Sequence, residues 1–157
     1  MIDEQPEVEQ CELEITVAPD RRPSETAPLL LGRAIFGGFF LYNGINHFLR
    51  REQMSGYAKS KGVPAADLAV PATGALLVLG GLSLLTGYRP KLGAALITTF
   101  LGAVTPTMHA FWKDQNPQER QADMINFMKN VALAGGALLA AGRPEPWPIS
   151  PAARRAA

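Results

Sequence analysis

The chain is poor in cysteine and histidine and has no long run of basic residues. Of its 157 residues, one is cysteine and two are histidine. A single cysteine excludes an internal disulfide framework, a cysteine-cluster zinc site and a Cys-x-x-Cys thiol relay. Two histidines and one cysteine also make a copper or zinc centre a weak hypothesis, so no metal site is predicted. Because there is no long basic patch, nucleic acid is not expected as a partner.

Charge divides the chain into unlike parts. Residues 1–28 contain eight acidic residues and two arginines, a net charge of −6, whereas residues 29–157 carry a net charge of +7. We therefore predict an acidic polar tail at 1–28, an apolar membrane domain at 29–142 and a Pro-rich basic tail at 143–157.

Four apolar segments are each long enough to cross about 30 Å of hydrocarbon. They lie at about 29–49, 68–88, 92–112 and 123–141. All four are rich in Gly and Leu and are evenly apolar around a helix, unlike the amphipathic helices of soluble proteins. Backbone polar groups in lipid must pair internally, which favours helices. The predicted fold is all-α: a four-transmembrane-helix antiparallel bundle with extended polar tails. The longest connection, 50–67, has room for a short interfacial helix.

Four crossings would place both termini on one side of the membrane. Positive residues divide almost evenly between the two sides, but the short basic turn from Arg89 to Lys91 favours cytoplasmic termini. In the acidic tail, apolar and polar residues alternate from Cys11 to Val17, a strand pattern. Two interpretations remain open: this segment adds a strand to another protein, or it belongs to a disordered tail.

Polar side chains inside the predicted spans concentrate near one membrane surface. They are Asn43, Asn46, His47, His109, Asn126, Lys129 and Asn130. The first and third spans run in the same direction, so both imidazoles lie at similar depth, and Lys129 lies roughly 9 Å into the fourth span. We predict that these side chains share a pocket. In the alternative interpretation, the histidines and asparagines make hydrogen bonds between helices, while Lys129 and Arg33 snorkel to the surface.

Such a pocket is compatible with several ligands. Two neutral imidazoles can ligate the iron of a b-type haem. They can also hydrogen-bond to a quinone head group and exchange protons with it. A lysine beside two histidines can bind an anion. No Asp or Glu lies deep in a span, which argues against a cation transporter or proton pump.

Several motifs resemble those of a known family. They are Gly44-Ile45-Asn46-His47-Phe48, Lys61-Gly62-Val63-Pro64, His109-Ala110-Phe111-Trp112 and the segment from Asn126 to Leu133. Over about residues 29–142 the chain resembles the DoxX family of small four-helix membrane proteins. The resemblance implies a link to redox work, since the family is named after a subunit of a quinol oxidase or thiosulfate:quinone oxidoreductase assembly. It implies functional positions at His47, His109, Asn126, Lys129 and Asn130, and it supplies no catalytic residue.

We therefore expect an integral membrane subunit of a redox-linked complex, located in the bacterial inner membrane. Its expected partners are the lipid bilayer and other protein subunits, and its expected ligand is a quinone, with haem b as the less favoured cofactor. The alternative is a non-catalytic accessory or assembly subunit of a larger membrane complex.

Overall fold

The computed structural model describes residues 23–156, and this part of the chain is entirely helical, with no strand. Its six helices are α1 (Pro23–Leu49), α2 (Arg51–Ser60), α3 (Ala66–Thr86), α4 (Pro90–Met108), α5 (Pro117–Gly142) and α6 (Pro151–Ala156). The short helix expected between the first two spans is present as α2. The predicted strand from Cys11 to Val17 lies outside the described residues.

Helices α1 and α3 pack closely because glycines lie where the two backbones meet. A Cβ added at Gly37 would lie 2.9 Å from the Gly81 carbonyl oxygen, and one added at Gly44 would lie 2.9 Å from the Gly74 carbonyl oxygen. Higher residue numbers on α1 face lower numbers on α3, so the two helices run antiparallel. Small residues that allow such close approach are common between membrane helices, where lipid provides no hydrophobic drive for association.

Helix α4 continues this arrangement by packing against both α3 and α5. Its Gly93 approaches the Gly80 carbonyl oxygen of α3, and Ile97 contacts Gly80 one turn further along. The main apolar core lies between these helices and α1, and its buried members include Phe40, Leu77, Leu84, Ala94, Ile97, Leu101 and Ala137.

The segment after α5 folds back onto the bundle, which corrects the expectation of an extended C-terminal tail. Trp147 is only 2 % exposed and belongs to the main core, and residues 151–156 form α6. Arg33 is also buried rather than snorkelling, because its guanidinium donates hydrogen bonds to carbonyl oxygens of Leu84, Leu85 and Pro148 at 2.8–3.3 Å. These bonds place the start of α1, the end of α3 and the segment after α5 at one end of the molecule.

Three of the described helices are long and apolar enough to cross a membrane, as judged by length and composition: Thr26–Leu49, Ala66–Thr86 and Pro117–Gly142. Helix α4, which corresponds to the third predicted span, is not among them. It ends at Met108, so residues 109–112 of that span lie outside the helix.

Candidate functional site

At the end of the bundle opposite Arg33, three ionisable side chains from separate parts of the chain form one network. Asp123, in the second turn of α5, is 8 % exposed. Its Oδ2 accepts a hydrogen bond from Nζ of Lys61 at 2.9 Å, and its Oδ1 accepts one from Nδ1 of His109 at 3.1 Å. Both oxygens of a largely buried carboxylate are thus paired, as the cost of removing a charge from water requires.

Local features of the chain bring these three residues to one place. Pro106 lies in the last turn of α4, where it removes one backbone donor. His109 follows as the residue that closes the helix, its N–H bonded to the Thr105 carbonyl oxygen at 3.0 Å. Helix α5 then begins at Pro117, after the Asn116 side chain caps it by accepting a bond from Gln118 N–H.

The network requires a proton on Nδ1 of the His109 ring. A carboxylate only accepts hydrogen bonds, so the nitrogen that faces Asp123 must be Nδ1–H. Nε2 has no hydrogen-bond partner among the residues that the structure describes. In the neutral ring this nitrogen is an acceptor, and in the protonated ring it is a donor.

The same hydrogen bond affects Lys61, which lies in the connection between α2 and α3. The bond to Asp123 raises the pKa of the Lys61 ammonium above its ordinary value. Lys61 is also 6.0 Å from the ring centroid of Tyr57, close enough for a cation–π contact. The ammonium group therefore remains charged throughout the neutral pH range.

An aromatic cluster adjoins the His109–Asp123 pair. The rings of Phe111, Trp112 and Phe127 meet edge to face, with centroids 5.1–5.9 Å apart. Phe127 lies one helical turn after Asp123, and Phe111 donates its backbone N–H to the His109 carbonyl oxygen at 2.9 Å. The cluster gives the site apolar, flat surfaces next to its charged groups.

His47, the second histidine of the predicted pocket, makes its hydrogen bonds with α3. Its Nδ1 lies 3.0 Å from the Val70 carbonyl oxygen and 3.1 Å from Thr73 Oγ1. Because a carbonyl oxygen cannot donate, His47 also carries its proton on Nδ1. The ring is buried beside Phe100, with the centroids 6.0 Å apart.

The other predicted site residues differ in their surroundings. Asn43 donates to the carbonyl oxygen of Phe39 in its own helix at 2.7 Å. Asn46, Asn126 and Asn130 are half-buried, and Lys129 is exposed. Within residues 23–156, no hydrogen bond or ion pair joins any two of the seven predicted side chains, so their common pocket stays a prediction.

Helical geometry separates the polar residues of α5. At about 100° per residue, Asn126 and Asn130 lie within about 60° of the Asp123 direction, whereas Lys129 lies about 120° away. The sequence predicted Asn126, Lys129 and Asn130 as site residues, but Asp123 was missed. The signal was the position of Asp123 three and seven residues before the two asparagines, on their own helical face.

Comparison with protein families adds independent evidence. The DoxX family model matches residues 28–110, which is more than half of the chain. The chain belongs to the DoxX family. Within this DoxX protein, the matched region contains His47, Lys61 and His109, while Asp123 lies beyond it. Among curated proteins and solved structures, none matches the chain significantly.

Proposed function

We propose that this DoxX protein is an integral membrane subunit of a redox-linked complex and that it binds a quinone head group at His109. One observation carries the proposal: Asp123 holds the imidazole by Nδ1, and Nε2 has no partner among the described residues. A nitrogen that accepts when neutral and donates when protonated suits both a quinol hydroxyl and a quinone carbonyl.

The surroundings of His109 support this ligand class. The Phe111, Trp112 and Phe127 rings offer apolar surfaces to a flat head group, next to a small number of polar groups, as in most ligand sites. A bound quinone would supply the electron transfer. Asp123 would orient the ring, and His109 would hold or release one proton at Nε2.

The remaining predicted residues would differ in how closely they approach the ligand of the proposed site. Asn126 and Asn130 share the Asp123 face of α5 and would supply further hydrogen bonds deeper in the bundle. His47 and the asparagines of α1 would line the same end of the molecule. Lys129 faces about 120° away from Asp123, so the proposal gives it no direct contact with the ligand.

The proposal includes four crossings of the bilayer as an antiparallel bundle of α1, α3, α4 and α5. The 19 residues of α4 span about 28 Å, close to the thickness of the hydrocarbon core. Its buried Ile97 and Leu101 pack within the same core as α1 and α3. We place this bundle in the bacterial inner membrane, with cytoplasmic termini on the side of the basic Arg89–Lys91 turn.

Quinone titration of the purified full chain in lipid nanodiscs tests the proposal. The probes are decylubiquinone and menadione, and the readout is saturable quenching of tryptophan fluorescence, since Trp112 belongs to the aromatic cluster of the proposed site. We expect His109→Ala to weaken binding by about tenfold, because the ligand loses one hydrogen bond to an imidazole that is itself bonded to the Asp123 carboxylate. Thr107→Ala is the matched control, since within the described part of the chain its hydroxyl bonds to its own helix, at the Ala103 carbonyl oxygen.

Equal quinone affinity in wild type and His109→Ala, with both variants folded, would remove the proposed site. If the wild-type chain binds neither probe, the result would favour the alternative function, a non-catalytic accessory subunit. One observation favours that second function: an open groove along α5 is lined by four small residues together with Leu138 and Leu139, and the small residues allow another helix to approach closely.

A further inference from the structure

A cavity lies between helices at the end of the bundle opposite His109. It has a volume of about 310 Å³, within the range of small-molecule sites, and it lies between α1 and α5. Most of its lining is apolar, including Leu29, Phe36, Leu84 and Leu139. Because α1 and α5 are both candidate membrane spans, the cavity adjoins the region where acyl chains would lie.

Two arginines supply the charge of this cavity, and neither forms an ion pair with a carboxylate among the described side chains. Arg33 is 7 % exposed, and its three hydrogen bonds all go to backbone carbonyl oxygens. A guanidinium has five N–H groups, so two remain for another acceptor. Arg143, which follows α5, also lines the cavity and is half-buried.

The end of α3 explains why Arg33 is stable here without a carboxylate. The helix closes at Gly87, with a φ of 71°, and leaves carbonyl groups of its last turn facing Arg33. These carbonyls form the negative end of the helix dipole and offset part of the buried charge. They do not cancel the second arginine, so the cavity keeps a positive character.

Trp147 closes the cavity from the C-terminal segment. The Arg33 guanidinium carbon lies 5.8 Å from its ring centroid, and the ring is almost fully buried. Its indole Nε1 is buried with no hydrogen-bond partner among the described residues, which is unusual because buried polar groups are nearly always paired. The site thus combines an apolar cleft with N–H donors of Arg33 and Trp147 that have no partner among the described residues.

We propose that this cavity binds an anionic phospholipid, with the phosphate at Arg33 and Arg143 and part of an acyl chain between α1 and α5. Basic pockets between membrane helices recognise anionic head groups in this way. The apolar lining favours a phosphate that carries an acyl chain over free phosphate. The site is independent of His109 and lies at the other end of the molecule.

Native mass spectrometry of the full chain released from nanodiscs tests the lipid site. The nanodiscs contain equal amounts of phosphatidylglycerol and phosphatidylcholine with identical acyl chains. We expect wild type to retain phosphatidylglycerol in preference to phosphatidylcholine. The Arg143→Gln variant should lose about fivefold of that preference, the value expected for one cationic contact at a membrane surface. Arg120→Gln, an exposed arginine at the start of α5, is the matched charge control.

A cavity-filling variant tests the acyl-chain part without removing any charge. Gly32 lines the cavity, and an added Cβ there meets no atom within 4 Å, so Gly32→Leu should reduce the room for an acyl chain in the cleft. We expect this variant to lose bound lipid, while Gly38→Leu, on the same helix but outside the lining, should retain it. Equal retention of both lipids by wild type, or lipid retention that neither Arg143→Gln nor Gly32→Leu changes, would overturn the proposal. So would displacement of the lipid by inorganic phosphate, which would show a site for the phosphate group alone.

Discussion

At the residue scale, the Lys61–Asp123–His109 network is an ion pair with unequal burial. The side chain of Asp123 is 11 % exposed, whereas that of Lys61 is 29 % exposed. Water near Lys61 weakens the Coulomb attraction, so the pair contributes less stability than a fully buried one. Its main effect is on geometry, because the carboxylate held by Lys61 in turn fixes the His109 ring.

The raised pKa of Lys61 gives a prediction about alkaline pH. A group whose pKa is higher in the folded state stabilises that state fully below its unfolded value, here about 10.5, and loses this contribution as the pH rises through the folded value. We expect the melting temperature of wild type in detergent to fall above about pH 10.5 more steeply than that of Lys61→Arg, whose guanidinium stays protonated.

Lys59 provides the matched control for this measurement. It pairs with Asp67 at 2.7 Å, but both side chains are more than half exposed, so the pair should contribute little. Lys59→Arg should therefore follow the wild-type pH profile. Superimposable alkaline profiles for wild type and Lys61→Arg would contradict the role assigned to the Lys61–Asp123 bond.

The candidate site was only partly predictable from the residues. His109 was expected to be functional because a polar side chain in an apolar segment is costly. The network could not be predicted, because Asp123 lies 14 residues after His109 and 62 residues after Lys61, and sequence periodicity does not say which helix ends meet. Lys61 was identified only as part of a family motif, because a lysine in a loop has no local sequence pattern that marks it as the partner of a buried carboxylate.

At the element scale, the contact between α1 and α3 depends on glycines that accept no side chain. A Cβ at Gly81 would lie 2.6 Å from the Leu41 nitrogen and 2.8 Å from the Gly37 carbonyl oxygen, both backbone atoms that cannot move independently of their helix. We expect Gly81→Ala to destabilise the protein by about 1–3 kcal/mol, the usual cost of overpacking. Thermal unfolding in detergent measures this loss.

Gly38→Ala is the control, because an added Cβ there meets nothing within 4 Å and alanine favours helix more than glycine does. Its melting temperature should equal or exceed that of wild type. If Gly81→Ala were as stable as Gly38→Ala, α1 and α3 could move apart with no loss of stability. Their close approach would then not matter for the stability of the protein.

Neighbouring glycines and the segment after α5 have surroundings that depend on tertiary packing rather than on local sequence. Glycines are typical of close packing between membrane helices, but the sequence does not say which of two adjacent glycines makes the contact: Gly37 faces α3 while Gly38 faces open space. Likewise, residues 143–157 were expected to form an extended, Pro-rich tail, yet Trp147 lies in the core. Burial of its large ring beside Arg33 outweighed that local preference and drew the segment into the core.

At the scale of the whole molecule, side-chain bonds define two ends. Arg33 bonds to Pro148, which brings the start of α1 and the segment after α5 to one end. His47 bonds to Val70, and His109 to Asp123, which brings the end of α1 and the starts of α3 and α5 to the other. A chain that enters and leaves at the same end must traverse the bundle an even number of times.

We therefore predict that both termini lie on the same side of the membrane, although α4 is not apolar enough to be recognised as a span by composition. Cys11 is the single cysteine and therefore reports on the N-terminal side; Cys11→Ser combined with Ala156→Cys reports on the C-terminal side. We expect a membrane-impermeant maleimide to label both proteins, or neither, in sealed vesicles of one orientation. Full labelling after detergent is the control for reactivity. Labelling of one protein alone would mean three crossings, with α4 outside the hydrocarbon, and would contradict the four-crossing bundle.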